Sequence, residues 1–189
     1  VLGSALAMDK NLAKTLYRLH GLPVAPWEMA SRNDIADPAR LLQTLTLPLV
    51  VKPVRQGSSI GMSIVREPQE LGPALAEAFA HDRQVMVEQY IGGREITVGV
   101  IGNDRPVALP LVEIIPDSKY EFFDYEAKYK PGASREVCPA QVSDEIREKA
   151  QAYGLAAHRA LQLRGYSRTD MIISGNEAYL LETNTIPGM

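Results

Sequence analysis

Two segments near the C-terminal end of the chain bring together a group of oxygen donors. They are Arg168-Thr169-Asp170 and Leu180-Leu181-Glu182-Thr183-Asn184, separated by a Ser174-Gly175-Asn176 turn. If each segment is a strand and the two pair, Asp170, Glu182 and Asn184 converge, because Glu182 and Asn184 stand two apart and point to one face. Two carboxylates and an amide suit Mg²⁺, a hard cation that keeps waters and shares phosphate oxygens, and no Cys or His stands nearby to favour zinc. The ordinary alternative, a surface pair of acids, sets like charges opposite one another and is destabilising without a cation, so the metal reading is preferred. Arg168 offers a fixed cation for a developing oxyanion, with the backbone N–H of Gly188 as a second donor. Its plainer alternative is an Arg paired to a carboxylate.

A second group suits phosphate. In Lys52-Pro53-Val54-Arg55-Gln56-Gly57-Ser58-Ser59-Ile60-Gly61 a lysine at a strand end precedes two glycines that let backbone N–H groups approach an anion closely, and Ser58 and Ser59 add hydroxyl donors. A Walker A loop is excluded, since here the lysine comes before the glycines. An ordinary hairpin turn with a solvated lysine remains open for this segment alone. Glu88-Gln89-Tyr90-Ile91 ends an apolar strand whose backbone could pair an adenine edge, with acids nearby for ribose hydroxyls; a solvated acid beside a turn is the competing reading.

The elements that must position these residues can be read from periodicity. Residues 9–20 predict a helix capped by Asp9 and closed by Gly21 and Pro23. An extended piece over 24–29 and a weak helix over 38–45 lead to the apolar run Leu49-Val50-Val51, a buried strand with Lys52 at its exit. A strand over 62–65, a helix over 67–80 with Pro68 in its first turn, and a strand over 85–89 follow. Residues 95–101 and 107–114 read as a hairpin about Gly102-Asn103-Asp104. Residues 116–137 are polar, rich in Tyr, Lys and Asp, and long enough to suggest a functional lid. Ser143 caps a long helix to about residue 163, and strands over 167–173 and 178–183 close the pattern. Hairpins and helices in this mixture predict an α+β chain with largely antiparallel sheets.

Composition sets the outer bounds. The 189 residues are 46% apolar and carry 20 basic against 23 acidic side chains, enough for a buried core but without the basic excess that nucleic acid requires. No apolar run approaches the ~20 residues of a membrane-spanning helix. The single cysteine, Cys138, excludes an internal disulfide and reads as a core residue, and a cytoplasmic location follows as the default. His20, His81 and His158 read as structural or solvated. The chain begins without Met and stops directly after a polar cluster, which suggests a fragment.

Met8-Asp9-Lys10, Lys52-Pro53 with Gly57 to Met62, Asp124-Tyr125-Glu126-Ala127-Lys128-Tyr129, Arg168-Thr169-Asp170 and Leu181 to Met189 stand in one order. That order resembles the D-alanine:D-alanine ligases of the ATP-grasp superfamily over essentially the whole chain. The resemblance implies two α/β subdomains with largely antiparallel sheets clasping ATP: a lead-in helix over 1–22, a central subdomain over 23–94 and a catalytic subdomain over 95–189. It implies that Lys10 and Lys52 hold ATP phosphates beneath the Gln56–Met62 loop with Gly57, Ser58 and Ser59. Glu88, Gln89, Tyr90 and Ile91 would bind adenine and Glu95 the ribose. Lys128 would approach the γ-phosphate, and Tyr129 would hydrogen-bond Ser58 near the substrate. Asp170, Glu182 and Asn184 would bind two Mg²⁺ ions, or Mn²⁺, while Arg168 and Gly188 would stabilise the tetrahedral intermediate. The implied reaction joins two D-alanine molecules through an acyl phosphate for peptidoglycan synthesis, in an enzyme that is a homodimer at full length.

Gln56 and Gln89 depart from the Glu and Lys frequent in related ligases. Two rivals stand beside this reading. One is a D-alanine:D-lactate ligase, ranked lower because the Tyr125–Tyr129 loop resembles dipeptide-forming enzymes. The other, for the isolated fragment, is a nucleotide-binding module without ligase activity.

Overall fold

The computed structural model describes residues 1–116 and 134–188. They form two compact units, one of residues 25–90 and one of residues 1–24 with the chain from 91 onward. Among the described residues no helix is long and apolar enough to cross a membrane.

The smaller unit is a four-stranded antiparallel sheet of β1 (Trp27–Ala30), β2 (Leu49–Pro53), β3 (Ser63–Val65) and β4 (Val85–Gln89), in the order β1-β4-β2-β3. Alternation along the central strands gives it a core face. Leu49, Val51, Val65, Val85 and Val87 pack with Leu71, Leu75, Ala78 and Phe79 of helix α4 (Leu71–His81) and with Leu41 of α3 (Ala39–Thr44). Helix α4 begins later than its sequence predicts, because Pro68–Glu70 winds as a 3₁₀ turn in which Glu70 accepts hydrogen bonds from the Arg66 and Glu67 N–H groups. Its last turn abuts the loop after β2: a Cβ on Gly61, which has φ +68°, would lie 2.6 Å from His81 Cδ2 and 3.0 Å from Pro53 Cγ.

In the larger unit, β5 (Arg94–Gly102), β6 (Val107–Ala108), β7 (Val112–Pro116), β8 (Ser134–Val137), β9 (Gly165–Ser174) and β10 (Glu177–Asn184) form one antiparallel sheet, ordered β10-β9-β5-β7-β8 with β6 beside β5. The hairpin expected after Gly102 is present, but its return strand is split into β6 and β7 around Pro110, which has no N–H for the ladder. Residues 134–137, expected within a long loop, pair with β7 as β8. Cys138, expected in the core, is exposed at the end of that strand.

One face of this sheet is covered by helices. Ile96, Val98, Met171, Ile173, Ala178 and Leu180 meet Ala13 and Tyr17 of α2 (Lys10–Leu19) and Ile146, Ala150 and Ala157 of α5 (Asp144–Ala160). Both helices have the caps their sequences predict: Asp9 accepts from the Leu12 N–H at 3.0 Å and Ser143 from the Ile146 N–H at 3.3 Å. A short helix, α1 (Leu2–Met8), for which the sequence gives no cap signal, precedes α2. His158 is structural, as read: it is buried, with Nδ1 2.8 Å from Ser167 Oγ.

Arg94 and Glu113 fasten the edge of this core with two hydrogen bonds of 2.7 and 2.6 Å, and Arg94 also donates to the Gln141 carbonyl at 2.8 Å. The guanidinium holds the Glu113 carboxyl below the ordinary carboxylate range, outweighing the opposing effect of burial. A depressed carboxyl contributes stability above its unfolded pKa of ~4.3 and loses it as pH falls through the lower folded value. The urea midpoint of Glu113→Gln is therefore expected to fall clearly below that of the parent at pH 7, with the gap closing below about pH 4. At Gly93 a Cβ would stand 1.9 Å from the Ile173 carbonyl oxygen. Relieving that contact must displace backbone of β5 or β9, so Gly93→Ala is expected to cost about 1–3 kcal/mol in the same denaturation assay.

Candidate active site

The second face of the larger sheet collects the oxygen donors. Along β9, Ser167, Thr169, Met171 and Ile173 turn to the helices, leaving Arg168, Asp170 and Ile172 on the other side. On β10, Ala178 and Leu180 face the core opposite Ile173 and Met171. There the register shifts: Leu180 pairs with Met171 but Glu182 pairs with Asp170, so Leu181 is an extra residue. Continued without this bulge, β10 would set Glu182 opposite Thr169 and Asn184 opposite Ser167, both inside the core. With it, Thr183 takes the buried position opposite Thr169, while Glu182 lies across from Asp170 and Asn184 across from Arg168. The bulge was not anticipated, although the Leu180-Leu181 doublet, which breaks alternation, is its trace in the sequence.

Asp170 is the centre of this group. Arg168 Nε and Nη2 donate to its Oδ1 and Oδ2 at 2.8 and 3.0 Å, and Asn184 Nδ2 donates to Oδ2 at 2.9 Å. Burial pushes the Asp170 carboxyl above its ordinary value; Arg168 and the hydroxyl of Thr97, its neighbour on β5, oppose that rise, and Glu182 reinforces it. For Arg168, burial acts against the charge, but Asp170, Glu182 and Glu95 outweigh it and raise its pKa. Thr97 was not singled out by sequence; its signal is its place between the outward positions Glu95 and Gly99. Lys10, at the start of α2, reaches Glu182 at 3.3 Å. Arg168 is thus paired to a carboxylate, with two of its five N–H donors on Asp170.

The residues present fit a hard cation. Two carboxylates in cross-strand register, one buried and made harder to ionise by the other, gain from a positive charge near both. Among the described residues no cluster of three or more His, Cys, Asp or Glu could hold a metal; the oxygen donors that this face offers are Asp170, Glu182 and the amide of Asn184.

In the smaller unit, Lys52 lies within β2 rather than at its exit, and its Nζ is 2.7 Å from Glu88 Oε1 on β4. Both side chains are buried. Each is the lone charge in an apolar strand. The following loop makes two overlapping turns, with Ile60 N–H donating to Gly57 O at 3.1 Å and Met62 N–H to Ser59 O at 3.2 Å. Ser58 and Ser59 have φ of +52° and +58°, a left-handed pair rare outside glycine. Successive N–H groups in such a turn make the concave donor set that binds anions. Gln56 Nε2 donates to the His81 carbonyl at 3.0 Å, tying this loop to α4. Gln89 accepts from Thr46 N–H and Oγ1 and donates to the Pro48 carbonyl, so its side chain braces the entry to β2.

Tyr90 ends the smaller unit; Ile91 opens the second part of the larger one and is followed by Glu95 on the Asp170 face. Gly188 is exposed beyond β10, and nothing stands within 4 Å of a Cβ built on it. Lys128 and Tyr129 lie outside the described residues.

A family model described as "D-ala D-ala ligase C-terminus" matches residues 16–189. The chain belongs to this family. It is 58% identical over its whole length to a D-alanine–D-alanine ligase of Syntrophobacter fumaroxidans, covering 61% of that protein, and 54% identical to one of Desulfotalea psychrophila, covering 59%. The chain therefore spans about three-fifths of the length of these curated relatives. Among solved structures it resembles the VanG D-Ala:D-Ser ligase of Enterococcus faecalis, with a TM-score of 0.87 and 38% identity over 99% of this chain and 55% of that one. It also resembles the D-alanine–D-alanine ligase of Bacillus anthracis, with a TM-score of 0.80 and 34% identity over the whole chain and 59% of that one. That enzyme has also been solved complexed with ATP; against that structure the TM-score is 0.78 at 29% identity, over 99% of this chain and 57% of that one. The fold of this family member is ATP-grasp, as its sequence implies.

The buried Lys52–Glu88 pair allows a test independent of any ligand. Lys52→Ala removes the ammonium bonded to the buried Glu88 carboxylate and is expected to cost about 3–5 kcal/mol, whereas Lys52→Met with Glu88→Leu, which removes both charges, is expected to recover most of that loss. Urea denaturation of the two variants at pH 7 measures the difference.

Proposed function

We propose that this chain is the ATP-grasp part of a D-alanine:D-alanine ligase, which joins two D-alanine molecules at the expense of ATP in the cytoplasm. The observation that carries the reading is the convergence of Arg168, Asp170, Glu182 and Asn184 on one sheet face, in a chain 58% identical to a named D-alanine–D-alanine ligase. Residues 23–94 would form the central subdomain, with Lys52, Gly57, Ser58, Ser59, Glu88, Gln89 and Tyr90 serving the nucleotide. Residues 95–189 would form the catalytic one, with the loop carrying Lys128 and Tyr129; Lys10, Ile91 and Glu95 complete the ATP contacts.

A carboxylate is a poor electrophile, so D-alanine must first take the γ-phosphoryl group, and the amine of a second D-alanine then displaces phosphate. The chain's own contribution is electrostatic. Lys10 and Lys52 would exchange Glu182 and Glu88 for phosphate oxygens, and the left-handed Ser58-Ser59 turn would offer N–H donors. Arg168, oriented by Asp170, would hold negative charge that develops on the reacting carboxyl, with Gly188 N–H as a second donor. Mg²⁺ or Mn²⁺ at Asp170, Glu182 and Asn184 would supply charge neutralisation for the phosphates.

D-alanine-dependent phosphate release by the full-length protein, with a panel of D-alanine, D-serine and D-lactate as acceptors, tests the reaction. Release with D-alanine is expected; release with D-lactate but not with D-alanine would overturn the dipeptide reading. Glu182→Gln in that protein is expected to raise the Mg²⁺ requirement by at least about tenfold, as loss of a ligand or its support does, and an unchanged requirement would reject the metal assignment.

A further inference from the structure

Behind the oxygen-donor group, on the core face of the same strands, runs a chain of three buried hydroxyls. Tyr17 of α2 donates through its phenol to Thr183 Oγ1 at 2.7 Å, and Thr183 Oγ1 lies 2.9 Å from Thr169 Oγ1. Tyr17 and Thr169 are wholly buried and Thr183 is nearly so. Burial pushes the Tyr17 phenol up from its ordinary value, so it stays protonated and a donor. Thr183 separates Glu182 from Asn184, and Thr169 separates Arg168 from Asp170; the two threonines are register partners immediately past the Leu181 bulge. The ammonium of Lys14, on the same helix and fully buried, lies 3.5 Å from the Leu180 carbonyl on the other side of the bulge.

Stability alone does not call for these hydroxyls. Valine fills the space of threonine, and replacing both partners of a buried hydrogen bond by apolar groups of the same shape can be nearly neutral. What the hydroxyls add is direction. A bulged strand has two competing registers one residue apart, and a slip of one residue sends every side chain to the opposite face. The hydrogen bonds from Tyr17 to Thr183 and between the threonines form only when residue 183 lies opposite residue 169. That is the register in which Glu182 and Asn184 leave the core and meet Asp170 and Arg168.

We propose that Tyr17, Thr183 and Thr169 are positioning residues that lock the bulged register and so hold Asp170, Glu182 and Asn184 as one cation-binding group. This rests on the reading of those three residues as metal ligands. The full-length protein, saturated with a non-hydrolysable ATP analogue, is titrated with Mn²⁺ and free ion is followed by electron paramagnetic resonance, well below each variant's urea midpoint. Thr183→Val is expected to weaken Mn²⁺ binding about tenfold, in the range seen when a group that orients a metal ligand is removed. Thr183→Ser, which keeps the hydroxyl, restores binding, and Tyr17→Phe weakens it in the same direction as Thr183→Val. Unchanged Mn²⁺ affinity in Thr183→Val and Tyr17→Phe, beside a Glu182→Gln variant that loses it, overturns the proposal alone. Unchanged affinity in Glu182→Gln overturns the metal reading beneath it. If Thr183→Ser behaves like Thr183→Val, packing and not the hydroxyl is at work and the proposal fails. Should Thr183→Val not fold, Tyr17→Phe, which removes one hydroxyl at the far end of the chain of bonds, decides by itself.

Discussion

The pairing of β9 with β10, with one residue too many on β10, is the constraint on which the larger unit's chemistry depends. A sheet that buries one face against helices must alternate, and β10 alternates correctly for the core through Ala178 and Leu180. The same alternation carried onward would bury a glutamate and an asparagine. Leu181 resolves the conflict by inverting parity within a single strand, so that one half of β10 serves the core and the other half serves the oxygen-donor face. The helix α2, packed against the core face, reaches the inverted half through Tyr17 and the donor group itself through Lys10.

Electrostatics follow from this geometry. Asp170 is buried next to another acid, a position that opposes ionisation, and the arrangement answers with Arg168 in two hydrogen bonds, the Asn184 amide and Lys10 on Glu182. The smaller unit also pairs buried charges, Lys52 with Glu88 across β2 and β4. In both, charges that the family resemblance assigns to ligands pair within the protein: Lys10 with Glu182, Arg168 with Asp170 and Lys52 with Glu88.

Much of this was legible in the sequence, for physical reasons that can be named. Asp9 and Ser143 announced their helices because a short polar side chain at a helix start has one strong use. The oxygen-donor group was legible because two acids on neighbouring strands need an explanation, and the spacing of Glu182 and Asn184 fixed their common face. What stayed hidden depends on contacts distant in sequence. Nothing local reveals that Lys52 meets Glu88, that Gln89 braces residues 46–48, or that residues 134–137 find β7 as a partner. Cys138 misled because its apolar neighbours, Val137 and Pro139, suggested a core position, whereas β8, which it follows, contributes no buried residue. The Leu181 bulge lay between these cases: the doublet was visible, but a doublet alone does not say which strand will carry the extra residue.

The internal ion pairs change how an anionic ligand must be understood. A bare lysine in water would greet a phosphate by shedding its hydration shell, and its affinity would fall steeply with salt. Lys52 is already buried and paired with Glu88, so a phosphate held there as proposed would compete for a partner, and the desolvation of the ammonium has been met by folding. Such an exchange would release a carboxylate for each phosphate oxygen captured, leaving the local charge more negative than a simple count of lysines would give. Selectivity at such a site would lie in charge density: an anion carrying a single negative charge would gain little over the glutamate it displaces, and a polyphosphate much.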